Sequence, residues 1–127
     1  MKIVYSDKKT GKTAQAEVLK DREAMLIGKR IGDEVDGSAI DLPGFKLKIT
    51  GMSDKSGIPS RPEIEGTAKR YILAAKSKLK SNRGMRVRRL VRGNAISADT
   101  EQVNTVITEY GQKPLEELFK PKEKKAE

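Results

Sequence analysis

Between Gly66 and Ala98 the chain carries no aspartate or glutamate, yet it holds ten cations: Lys69, Arg70, Lys76, Lys78, Lys80, Arg83, Arg86, Arg88, Arg89 and Arg92. This block constrains the fold more than any other feature. Ten like charges cannot be packed into a core, because a buried charge without a partner is strongly disfavoured. The other 94 residues carry 17 basic and 18 acidic side chains, so the whole net charge of +9 arises in this one segment. A merely solvated surface intersperses both signs. A segregated block reads as the footprint of a polyanion.

The core must therefore come from the rest of the chain, and it must be small and aliphatic: 35% of the 127 residues are hydrophobic and 4% aromatic. The apolar residues fall in short runs with a period of two. Ala14, Ala16 and Val18 share one side of "TAQAEVL", and Phe45, Leu47 and Ile49 one side of "FKLKITG". "KIVY", "RYILAA", "VRRLV" and "QVNTVITEY" are further strand candidates, although "RYILAA" also suits a helical turn. Asp21 is placed to cap a short helix, "REAMLIG", that stops at Gly28. Five to seven short strands between frequent turns suggest a mainly β fold: a small antiparallel β-barrel with one or two short helices and a basic extended segment. Residues 1–112 form that domain, including the basic segment 66–98, and residues 113–127 hold a short helix, "PLEELFK", and a charged tail.

Several function classes have little support. Without cysteine there is no disulfide framework or thiolate metal site, and without histidine the commonest general base and metal ligand are missing. No run of residues is apolar for a membrane-spanning length, and "MKIVYSDKK" lacks a signal-peptide core, so a cytosolic protein without membrane contact is expected. "TGKT" (Thr10–Thr13) looks like part of a phosphate-binding loop. However, Ser6 stands where that motif needs its first glycine, and the following residues alternate like a strand, so a polar hairpin turn is expected. The carboxylates of Asp33, Glu34, Asp36 and Asp41 do not follow calcium-loop spacing and read as a solvated acidic turn. No metal, no cofactor and no enzymatic activity is expected.

The basic segment has chemistry suited to nucleic acid. In an extended chain Lys76, Lys78 and Lys80 would point to one side about 7 Å apart, near the spacing of phosphates along a strand. Arg86, Arg88 and Arg92 would share a face, opposite Val87 and Val91. Gly84 and Gly93 leave room for the backbone to approach a ligand closely, and Asn94 is available to a base edge or a phosphate. Arginine suits phosphate forks. Tyr71 is the segment's only aromatic residue, which disfavours a platform stacking several bases and favours contact with structured RNA. A chromatin or regulatory DNA-binding module is the alternative, but no recognition-helix pattern accompanies the charges.

Five stretches carry a resemblance to a known family: "GKRIGDEVDGS", "LPGFKLKITG", "SDKSGIPSRPEIEG", "VRGNAIS" and "QVN". In that order they resemble the archaeal and eukaryotic small-subunit ribosomal protein family "S six e", in its short archaeal form. Within the family signature Gly51, Asp54, Gly57 and Pro59 match, while Met52 replaces a second glycine and Ser60 a methionine. The serine-rich C-terminal helix of eukaryotic members has no counterpart here, so its phosphorylation is not carried over. The resemblance implies a structural protein of the small ribosomal subunit with a β-barrel body. Its implied partners are ribosomal RNA and neighbouring ribosomal proteins, and the free protein is expected to be a monomer, located in cytoplasmic ribosomes. The expected RNA-binding residues are the ten cations with Arg61 and Asn94. Gly51, Asp54, Gly57, Pro59, Pro62 and Gly93 are expected to shape a loop that brings Arg61 beside them, with Gly57 at positive φ.

Overall fold

In the computed structural model, which describes residues 1–112, the six runs become strands and a seventh, β3, forms within the stretch read as an acidic turn: β1 (Lys2–Ser6), β2 (Thr13–Glu17), β3 (Glu34–Asp36), β4 (Lys46–Asp54), β5 (Lys69–Ala75), β6 (Arg86–Arg92) and β7 (Thr100–Glu109). Five of them form one sheet in the order β2-β1-β7-β4-β3, and β5 and β6 pair separately as a hairpin. The expected helix and tail over residues 113–127 lie outside the described residues.

The fold is mainly β, but it differs from the expected closed antiparallel barrel. The five-stranded sheet is open, with β2 and β3 as its edges, and β1 runs parallel to β7. Alternation marks which side of a strand is buried and says nothing about the direction of its neighbour. The first and last strands described meet through the whole intervening chain, so no hairpin imposes antiparallel pairing on them. The two sheets are linked through single bridges: Ser53 to Pro59, and Ser60 to Arg92.

One face of the large sheet carries the core. Ile3 and Tyr5 of β1, Leu47 and Ile49 of β4, and Val103 and Ile107 of β7 are buried with Phe45, Leu26, Leu42 and Ile96. The inward face of β4 changes parity along its length. Leu47 and Ile49 point inward, then the register shifts between Ile49 and Gly51, and Met52 and Asp54 point inward instead. That bulge lets the strand continue where the glycine suggested it would end. Gly51 and Asp54 therefore belong to β4, and Asp54, at its end, reaches the following loop through its side chain. The helix is also shorter than its sequence suggested: α1 spans Lys20–Glu23, its cap position is Leu19 without a side-chain bond, and Asp21 lies within the first turn.

"TGKT" joins β1 to β2 as a turn and leads into a strand, as the alternation indicated. Asp7 organises it. Its carboxylate accepts bonds from the Lys9 amide (3.0 Å), the Thr10 hydroxyl (2.7 Å) and the Tyr110 hydroxyl (2.5 Å). The Tyr110 and Thr10 hydroxyls lower the Asp7 pKa to about 2. A carboxyl depressed in the fold stabilises above its unfolded pKa and loses that contribution as pH falls through the folded value. The melting-temperature gap between wild type and Asp7→Asn is thus expected to shrink as pH is lowered from about 4 to 2. A gap that stays constant over that range would mean that Asp7 does not act through its charge.

Candidate nucleic-acid interface

The acid-free segment folds mainly into the β5–β6 hairpin, and its register explains how so many cations coexist. Arg86 lies opposite Ala75, Arg88 opposite Leu73, Arg89 opposite Ile72, and Arg70 opposite Val91. Each of these arginines faces an apolar residue, which avoids the repulsion of like charges directly across a ladder. The exception is Lys69 opposite Arg92, at the base of the hairpin. There Asp54 supplies the missing countercharge. Its carboxylate stands 2.7 Å from Arg92 Nε and 4.0 Å from Lys69 Nζ.

Asp54 is buried and does more than pair charges. One of its oxygens accepts the amides of Ser56 (2.9 Å) and Ile58 (2.8 Å), bending the chain back around Gly57. Burial raises its pKa, but the Arg92 hydrogen bond and these two amides outweigh that effect, and the carboxyl lies below its ordinary value. Gly57 has φ +82°, the left-handed conformation expected from the sequence. After this turn Pro59 accepts the Arg92 amide (2.9 Å), and the Arg61 amide donates to the Arg92 carbonyl (3.1 Å). The loop thus runs beside β6 and sets Arg61 in an open groove of about 520 Å³, lined also by Arg89, Leu90 and Val91.

The candidate residues separate into two groups. Lys69, Arg70, Lys76, Lys78, Lys80, Arg83, Arg86, Arg88 and Arg89 are exposed. Among the described residues, only Lys69 of these nine has an acidic partner within salt-bridge distance. Arg61 is half-buried. Arg92 and Asn94 belong to the second group and face inward. The Arg92 side chain is 12% exposed, and it bonds Asp54, the Thr67 carbonyl (3.0 Å) and Asp99 (3.5 Å). Its guanidinium is committed within the protein, although Arg92 is among the residues expected to bind RNA. Asn94 is buried, with its amide donating to the Pro62 carbonyl (3.2 Å). Gly93 does allow a close backbone approach, but to the protein itself: a Cβ there would lie 2.0 Å from the Gly66 carbonyl oxygen. These residues fix the base of the hairpin.

The tip is not the extended lysine row that the spacing suggested. A single 3-10 turn, Lys80–Asn82, interrupts it. The Ser77 hydroxyl accepts the Leu79 amide (3.3 Å) and the Asn82 side-chain amide (2.6 Å), while the Lys76 amide donates to the Met85 carbonyl (3.0 Å). Lys78, Lys80, Arg83 and Arg86 then surround an open concavity of about 480 Å³. The result is a cationic cup at the end of a cationic arm, a shape suited to phosphates arriving from several sides.

The family model for Ribosomal protein S6e matches residues 1–120. The chain belongs to the Ribosomal protein S6e family. The Small ribosomal subunit protein eS6 of Methanocella arvoryzae is 48% identical over 98% of this chain and 89% of its own length. That of Archaeoglobus fulgidus is 45% identical over 96% and 97%, and that of Nanoarchaeum equitans 48% identical over 94% and 89%. Two features of the interface were not evident from the sequence. One is the placement of the Arg88 guanidinium over the Tyr71 ring, 4.7 Å from its centroid. The other is the part played by Asp99, which lies just beyond the acid-free block and closes the Arg92 pocket.

Proposed function

We propose that the chain serves, as its relatives are named, as a structural protein of the small ribosomal subunit, and that it holds ribosomal RNA with the β5–β6 arm and the adjoining Arg61 loop. The supporting observation is the ladder itself. Its exposed arginines stand opposite apolar residues and, among the described residues, have no acid within salt-bridge distance, which leaves them open to an external countercharge. Phosphate supplies it, through charge-assisted bonds that guanidinium forks make well. The large sheet holds the arm in place, and the chain performs no chemical step. In this reading it is a monomer when free and meets neighbouring ribosomal proteins once assembled, in the cytoplasm. A two-stranded ribbon can also enter a DNA groove, but family membership favours RNA.

If six to eight of these cations meet phosphates, log affinity for small-subunit ribosomal RNA is expected to fall with log salt at a slope of about −4 to −7. Filter binding or fluorescence anisotropy across a salt series measures it. A slope near zero would remove the electrostatic reading.

A further inference from the structure

The hairpin has two faces, and the outer one is only partly cationic. By strand parity Lys69, Tyr71, Leu73 and Ala75 of β5 share it with Arg86, Arg88 and Leu90 of β6, while Arg92, at its base, turns inward to Asp54. Tyr71 is 62% exposed and Leu73 66% exposed. Both are large apolar side chains in the middle of a strand, on the face turned away from the protein. Hydration of phosphate-binding cations does not require them. Tyr71 is directly opposite Leu90 and diagonal to Arg88, within the reach of a long side chain across an antiparallel pair. Arg88 uses that reach to lie over the ring. A largely exposed aromatic ring, with Leu73 and Leu90 beside it in the ladder and a planar cation over one of its faces, matches the requirements for holding one unstacked base beside its own phosphate.

We propose that Tyr71, with Arg88, is a single-base stacking site that receives one extruded nucleobase of the bound RNA. The inference rests on the RNA-binding reading above and adds what that reading lacks, a preference for an interruption in the duplex. The surrounding charge selects the occupant: Lys69, Arg86 and Arg88 on the same face favour a polyanion over an apolar protein segment. Arg88 gives the base's flanking phosphate a fork to bind, and Leu73 and Leu90 cover the edges of the stack.

The test compares an uninterrupted RNA duplex with the same duplex carrying one bulged 2-aminopurine. Wild type is expected to bind the bulged RNA about five- to a hundredfold more tightly, the range given by stacking one base on an aromatic ring, and to change the fluorescence of the bulged base on binding. Tyr71→Leu should remove both the preference and the fluorescence change. It should keep the duplex affinity and the salt slope, and because the residue is exposed it should keep the melting curve. Tyr71→Phe retains the ring and should retain the preference. Equal binding of the two RNAs by wild type, or a preference that survives in Tyr71→Leu, would overturn the stacking site. A preserved steep salt slope alongside either result would leave the phosphate-binding reading intact, whereas a flat slope would defeat that reading itself.

Discussion

Asp54→Ala is expected to lower the unfolding free energy by about 3–4 kcal/mol and, although it adds to the net positive charge, to weaken RNA binding. The stability effect follows from burial. Removing the carboxylate leaves Arg92 half-paired at a site where its side chain is 12% exposed, and it strands the Ser56 and Ile58 amides that the carboxylate had accepted. It also restores the like-charge opposition of Lys69 and Arg92 at the base of the arm. The binding effect has the opposite sign to simple electrostatics. Deleting an acid from a basic protein should strengthen its attraction to a polyanion. Asp54, however, holds the turn that places Arg61 along β6, so losing it should disorganise the loop and the hairpin base together. Asp54→Asn keeps the shape and one acceptor, and should fall between the two. Chemical denaturation and RNA titration at a temperature where both variants remain folded provide the check. Tighter RNA binding by Asp54→Ala would show that the clamp does not position the interface.

The same clamp shows what the sequence could and could not reveal. The strands were visible because their inward residues recur every second position, as at Leu47 and Ile49. The parity change after Ile49 was hidden, since a bulge adds one residue without leaving a marker in a segment that already contains glycine. Asp54 therefore looked like a loop residue when it closes a strand. The parallel pairing of β1 with β7 was likewise beyond reach, because direction is not encoded in alternation. In the basic block the arginines are chemically identical in sequence. What separates Arg92 from Arg86 is the residue across the ladder, Lys69 for one and Ala75 for the other, and that is a property of register. Asn94 and Gly93 stood out in the sequence as positions open to a ligand, whereas the close contacts the structure shows for them are to the Pro62 carbonyl and the Gly66 backbone. Lys80 was read as extended because Ser77 gave no sign that its hydroxyl would gather the chain into a turn.

Replacing Arg86, Arg88 and Arg89 together with glutamine is expected to reduce RNA affinity by about a thousandfold while leaving stability within about 1–2 kcal/mol of wild type. Three charge-assisted contacts at about 1.5 kcal/mol each account for a loss of that size. The salt slope should flatten by about two to three as three phosphates go unneutralised. Stability should hold because all three side chains are exposed and lie opposite Ala75, Leu73 and Ile72, and among the described residues no acid pairs with them. Arg92→Gln should behave in the reverse way. It leaves Asp54 buried without its closest cation, with an expected cost of about 2–3 kcal/mol. It should leave the salt slope nearly unchanged, because the Arg92 guanidinium is already committed to Asp54, Thr67 and Asp99. Melting curves and salt-dependent titrations on the two variants separate arginines that bind RNA from the one that builds the arm. Unfolding of the triple variant would make its arginines structural. A slope lowered by about one in Arg92→Gln would return Arg92 to the RNA, and Asp54 would then have to exchange its partner on binding.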